Sequence, residues 1–209
     1  LNYIALLGWS PKGEREIFTL PELVKEWDPA GISKSPAIFD TQKLRYINGE
    51  YIRALSPEDF CRMATPWMKK TVAREDIDFG ALAGLLQARC EVLEDIPEQV
   101  DFIDRVPDYD LALYTNKKMK TTPETSLAAL RETLPVLEGL ESFSAEAIHE
   151  ALFRRIGELE VKNGWMLYPL RVAVSGKQFT PGGGIELCAV LGREESLRRV
   201  KAAIARLEA

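Results

Sequence analysis

Histidine occurs once and cysteine three times in 209 residues, and Cys61, Cys90 and Cys188 lie tens of residues apart with no CxxC pair. That scarcity argues against a zinc site or a disulfide framework, so no metal ligands are expected, and a reducing cytoplasm fits best. No apolar run approaches the roughly 20 residues that a membrane span needs, so no membrane partner is expected. The opening LNYIALLGWS has no basic region, cleavage site or initiator Met, and is expected not to be a natural N-terminus. An excess of positive charge is also missing: 27 Lys and Arg face 32 Asp and Glu, a net charge of −5. Gripping nucleic acid by bulk electrostatics needs cations unopposed by carboxylates, so DNA is not an expected partner; a shape-specific patch is compatible with the balance.

What is present is a 46% hydrophobic composition and enough length for two modest cores, which excludes a disordered or collagen-like chain. Acidity is concentrated in the middle, where residues 71–125 carry 12 acidic and 6 basic side chains. LNYIALLGW reads as the end of a helix whose first turns lie upstream, stopped near Gly8 and Pro11, and residues 17–27 read as a second short helix. A loop rich in Pro, Gly and Ser follows. Residues 42–52, centred on Asn48-Gly49, fit either a β-hairpin or a helix, a turn and a second helix. Ser56-Pro57-Glu58-Asp59 is a strong helix start, with a hydroxyl N-cap, Pro at the first position and carboxylates in the first turn. Asp78 precedes a stripe of Leu82, Leu85, Leu86 and Cys90. The polar TNKKMKTT at 115–122 reads as a linker, with Thr121 and Glu124 as a capping box over Pro123. Ile148, Leu152, Ile156 and Leu159 predict a helix over 145–162 ended by Asn163-Gly164, and Leu197, Val200, Ile204 and Leu207 predict another. Between them, LRVAVSG alternates like a strand but has no partner in sight, which leaves a short helix as an equal reading.

Catalytic constellations are nearly absent. His149 stands alone beside Ile148, with no Ser or Cys partner to make it a general base. Gly182-Gly183-Gly184 could cradle a phosphate on free N–H groups, but no GK[ST] follows, and a spacer turn is the favoured reading. The eight carboxylates between Glu91 and Asp110 contain no pair marked for metal or acid–base work and read as solvated surface.

Four strings remain, and their order is informative: YIALLGW at 3–9, FDTQKLRYINGEYIR at 39–53, LQARCEVLEDIPE at 86–98, and PLRVAVSGKQFTPGGGIELCAVLGREESLRRV at 169–200. Together they resemble bacterial glutamyl-tRNA synthetases over almost the whole chain. The resemblance implies the C-terminal, tRNA-recognising half of a class I synthetase. It implies a mainly α fold: a stem-contact region at 1–55, truncated at its N-terminal side, then helical-bundle anticodon-binding domains at 56–122 and 123–209. The HxGH and KMSKS-like motifs of the catalytic half are missing, and Lys118-Met119-Lys120 lies too late in the chain to replace the latter. The expectation is therefore a monomer that binds glutamate tRNA, needs no cofactor of its own and cannot activate glutamate alone, with ATP and Mg²⁺ serving the full-length enzyme. The alternative is a helical protein-interaction scaffold without RNA, suggested by the acidic balance and the polar linker.

The resemblance also implies residue roles. Lys43, Arg45 and Tyr46, with Arg53 close behind, match the segment that approaches the inner corner of the tRNA; the competing reading makes Leu44 and Tyr46 core and leaves Lys43 and Arg45 solvated. Tyr46 replaces the commoner Trp. Arg89 occupies the position of an arginine that reads the third anticodon base, a cytosine whose O2 and N3 acceptors suit a guanidinium fork. Arg171, Thr180 and Pro181 match positions that contact the first two anticodon bases. Gly183 and Gly184 stand where relatives carry a bulky apolar residue, with one extra residue inserted.

Overall fold

Capping chemistry sets most of the helix starts in the computed structural model, which describes all 209 residues, Leu1–Ala209. Eleven α-helices form, joined in places by 3₁₀ turns, and the only β pairing is two isolated antiparallel bridges, Trp9 with Ile32 and Asn116 with Thr121. The expectation of a mainly α fold is met, and no helix is long and apolar enough to cross a membrane.

The first part holds α1 (Asn2–Gly8), α2 (Leu20–Glu26) and α3 (Thr41–Arg53). α2 starts three residues later than the apolar pattern suggests, because Thr19 and Glu22 form a reciprocal capping box there. A small core of Trp9, Phe18 and Leu23 sits beneath. Buried Asn2 ties the part together: its Nδ2 donates to the Glu16 carbonyl at 2.6 Å, and its Oδ1 accepts from the Phe18 amide at 2.6 Å and the Tyr51 hydroxyl at 3.0 Å. Asn48-Gly49 makes neither a hairpin nor a turn, since α3 runs through it without interruption. The pair serves a contact instead. Asn48 Nδ2 donates to the Glu91 carbonyl at 2.6 Å, and a Cβ on Gly49 would lie 3.4 Å from Glu91 Cα and 3.1 Å from an Arg53 nitrogen.

α4 (Pro57–Met68) and α5 (Phe79–Gln87) begin as expected at Ser56 and Asp78, whose side chains accept from first-turn amides, and α6 (Ile96–Val100) follows. The stretch 115–122 is not an open linker: Asn116 and Thr121 exchange backbone hydrogen bonds, and Thr121 is buried with its hydroxyl on the Tyr114 carbonyl at 2.8 Å. Because Thr121 faces inward, the cap of α7 (Pro123–Glu138) moves one residue on, to Thr122 paired with Thr125. α8 (Ala145–Glu158) stops before Asn163-Gly164. Glu160 takes the left-handed turn at φ 54, a place usually given to glycine, and Asn163 opens α9 (Asn163–Ser175). LRVAVS is thus helical. Leu170, Val172, Ala173, Val174 and Ser175 are all buried, so α9 is enclosed on every side and shows no 3.6-residue polar rhythm to read. α10 (Gly184–Leu191) and α11 (Arg193–Glu208) pack on it together with α7. A single cluster of 32 buried residues runs from Ile52 to Ala203.

Candidate nucleic-acid interface

The loop between α9 and α10 meets the end of α5. Gly176 ends α9 in the left-handed region at φ 66, and the Ser175 hydroxyl donates to the Arg171 carbonyl at 2.7 Å while accepting from the Lys177 amide at 3.1 Å. Lys177 then crosses to the segment after α5, donating to the Glu98 carbonyl at 2.6 Å and pairing with Asp101. Thr180 is buried; its hydroxyl donates to the Gly182 carbonyl and its own carbonyl accepts from Arg89 Nη1 at 2.8 Å. These bonds fix the loop against Arg89 across 91 residues of sequence.

The result is an open cavity of about 520 Å³ lined by Arg89, Asp95, Gln99, Phe179, Thr180 and Pro181, together with Glu98 and Lys177. The structure thus brings together Arg89, Thr180 and Pro181, and Arg171 stands beside them. Arg89 is exposed, and with one nitrogen held by Thr180 its other N–H groups are open to a ligand. Arg171 is more enclosed: burial, then the nearby Arg89 charge, pulls its guanidinium below the ordinary arginine value, and its buried Nε has no hydrogen-bond partner. Phe179, 77% exposed in a loop that holds it at the mouth, did not emerge from the sequence, nor did Lys177 or Gln99. A phenylalanine among Lys, Gln, Pro and Gly was the available signal.

The glycine run has a packing explanation. A Cβ on Gly184 would lie 2.9 Å from the Arg171 amide nitrogen and 3.2 Å from the Leu167 carbonyl, so α10 starts directly on the α9 backbone. This close approach is what a spacer turn needs at Gly184.

The four residues on α3 do not share one arrangement. Lys43 pairs with Glu16 and Arg53 with Glu50. Arg45 points the other way, to Glu91 at 3.3 Å and to Asp95, and its hydrogen bond to Asp95 holds its pKa above the ordinary value. Since Asp95 also lines the cavity, Arg45 belongs to that cavity's outer support. Leu44 and Tyr46 are not core: they are 37% and 48% exposed. His149 is exposed and stacks on Phe153 with ring centroids 4.0 Å apart.

A family model described as an anticodon binding domain matches residues 59–204, which include Arg89, Arg171, Thr180 and Pro181. The chain belongs to the anticodon-binding-domain family. The resemblance drawn from the four strings is borne out. This anticodon-binding chain is 50% identical over 208 residues to the glutamate–tRNA ligase of Clostridium tetani and 51% identical over 209 residues to that of Clostridium botulinum strain Hall. All of this chain is matched in both, yet it spans only 42% and 43% of their lengths. The crystal structure of a glutamate tRNA ligase from Elizabethkingia meningosepticum in complex with its amino acid matches with a TM-score of 0.77 at 26% identity, over 99% of this chain and 40% of that one. A glutamate-tRNA synthetase from Elizabethkingia anophelis gives the same TM-score at 25% identity, over 98% and 39%. Lys43, Arg45, Tyr46 and Arg53 precede the residues that the family model matches.

Proposed function

We propose that this chain is the tRNA-recognising part of a glutamate–tRNA ligase, and that the cavity between Arg89 and the loop at 176–183 reads anticodon bases. The observation that carries this reading is the convergence of Arg89, Thr180, Pro181 and an exposed Phe179 on one cavity from two distant parts of the family-matched region. Sequence-specific RNA recognition takes unstacked loop bases by their edges and stacks them on flat groups. Arg89, pinned by Thr180, offers its remaining N–H groups to the O2 and N3 acceptors of a cytosine at the third anticodon position. Thr180 and Pro181 shape the wall through backbone and packing, Arg171 supplies charge behind it, and the ring of Phe179 supplies a stacking face in place of the bulky residue that Gly183 and Gly184 lack.

Residues 1–55 take the second task, with Lys43, Tyr46 and Arg53 toward the inner corner of the tRNA and Arg45 holding the two parts together; 56–122 and 123–209 supply the two sides of the cavity. The carboxylate partners of Lys43 and Arg53 are themselves partly exposed, so exchanging them for phosphates is cheap. Attachment of glutamate, with its ATP and Mg²⁺, belongs to the remainder of the ligase. Purified chain is expected to catalyse no glutamate-dependent pyrophosphate exchange. Family membership does not favour the protein-scaffold alternative.

The test is a binding titration at fixed salt with tRNA bearing a glutamate anticodon against one changed only at the third base. Wild type should prefer the former. Arg89→Gln should lose about 1–3 kcal/mol of that preference, by analogy with bidentate base readout. An unchanged ratio of affinities would mean that Arg89 serves only to hold the loop.

A further inference from the structure

A second concave surface adjoins Gly176, the residue before Lys177 of the base-reading cavity. It is a cleft of about 340 Å³ whose walls include Arg105, Arg198, Arg199, Arg206 and Tyr109, and Asp108 is the one carboxylate among its lining residues. We propose that this cleft binds phosphodiester groups of the RNA strand whose bases enter the neighbouring cavity; the inference rests on the function proposed above.

Such a concentration of guanidiniums is an exception in a chain of net charge −5. Their existing partners leave charge to spare. Glu195 is shared by Arg198 and Arg199, which bind it at 2.7 and 2.6 Å. Asp108 is fully exposed and only 3.5 Å from Arg206, an ion pair that water and salt weaken readily. Arg105 is exposed and has neither a hydrogen-bond acceptor nor a carboxylate partner. Arg206 is held in place ahead of any ligand: one nitrogen donates to the Tyr109 carbonyl at 2.7 Å, and the guanidinium lies 4.3 Å over the Tyr109 ring. Arg199 is buried at the floor with its nitrogens occupied, so it contributes field rather than a contact. A free arginine, a pre-placed arginine and a buried cation behind them suit a diffuse anion with several acceptor oxygens, which a phosphodiester is.

Position selects RNA over an acidic peptide. A Cβ on Gly176 would touch Val106, Pro107 and Tyr109 of the cleft at 2.9–3.2 Å, while the next residue, Lys177, lines the base-reading cavity. One residue therefore separates the two surfaces, and a strand that places a base in the first carries its phosphates past the second.

The experiment measures affinity of the chain for a tRNA transcript with a glutamate anticodon as salt rises from about 50 to 200 mM, where removing one phosphate-binding cation lowers the log–log slope by roughly 0.7–0.9. Arg105→Gln and Arg206→Gln should each lower the slope by that amount and weaken cognate and scrambled anticodons by the same factor. Arg131→Gln, which removes an exposed arginine paired with Glu208 outside the cleft lining, is the matched charge control and should leave the slope unchanged. Arg105 and Arg206 are both exposed, so folding is not at stake. Slopes for the cleft variants equal to the control overturn the phosphate site while leaving the base-reading cavity intact. Absence of anticodon-dependent binding by the wild type overturns the proposed function and this inference with it.

Discussion

Arg199 is the side chain on which three elements of the site depend, and replacing it makes the most demanding test of how the bundle holds together. It is 2% exposed. Its Nη1 donates to the carbonyls of Phe102 and Val174 at 2.8 and 2.6 Å, its Nη2 to that of Ile103 at 2.7 Å, and its Nε to Glu195 at 2.6 Å. One guanidinium thus joins α11 to the end of α9 and to the segment after α6, the elements that frame both concave surfaces. Arg199→Met keeps the length and apolar stem but removes every donor. Replacing both members of a buried ion pair by apolar groups is often harmless, because no polar group is left behind. Here the partners are backbone carbonyls, which no substitution removes, so three acceptors stay dry and unpaired beside a carboxylate that has lost one of its two arginines.

Breaking a buried charged network from one side costs about 3–5 kcal/mol, a large share of the 5–15 kcal/mol that typically stabilises a domain. Arg199→Lys retains the charge without the planar fork and should fall between wild type and Met. Urea unfolding followed by far-ultraviolet circular dichroism measures the loss at constant m-value. A change below about 1 kcal/mol for Arg199→Met, with m unchanged, would show that water reaches these carbonyls and that the network adds nothing to stability.

Three further outcomes follow from the same contacts. Gly184→Ala places a methyl 2.9 Å from the Arg171 amide, so α10 must lift from α9; stability should fall by about 1–3 kcal/mol in the same urea titration, and preference for the glutamate anticodon should fall with it. Burial pulls the Glu195 carboxyl upward, but hydrogen bonds from Arg198 and Arg199 outweigh it and leave its pKa below the ordinary 4.5. Its stabilising effect is therefore complete above that pH and lost as pH drops below it, so Glu195→Gln should be less stable than wild type at neutral pH and approach it in acid, as thermal melts across pH would record. Lys43→Ala should change stability by less than about 1 kcal/mol, since its pair with Glu16 is surface-exposed, yet should weaken all tRNAs equally in binding titrations; selective weakening by anticodon would remove Lys43 from the phosphate contacts.

Helix starts were legible in the sequence because their physics is local: Ser56 and Asp78 accept from amides two or three residues on, and no distant contact can change that need. Where the reading failed, a distant partner decided. Asn48-Gly49 has the composition of a tight turn, but the amide of Asn48 and the missing side chain of Gly49 answer to Glu91, 43 residues away from Asn48. α9 carried no amphipathic signal because neighbours surround it, and Glu160 ended α8 in a conformation for which its side chain gives no hint. Arg171, Thr180 and Pro181 came from resemblance rather than from patterning, and Phe179 from neither. Arg199 was hidden by the abundance of arginine in α11, although its spacing from Ser196 and Ala203 puts it on the buried face.

The acidic stretch between residues 91 and 110 reads from the sequence as solvated carboxylates. In the fold most of these groups are committed to internal partners: Glu91 and Asp95 to Arg45, Asp101 to Lys177, Asp104 to the amides of Ala73 and Arg74, and Asp110 to the amide of Ala112. They fasten the N-terminal part and the 176–183 loop to the segment between α5 and α7, and in doing so they neutralise arginine and lysine that hold structure. Among the cations without a carboxylate partner, Arg89 and Arg171 stand at one cavity and Arg105 at the neighbouring cleft. A polyanion meets that local distribution, within a Debye length of about 8–10 Å, and not the sum over the chain.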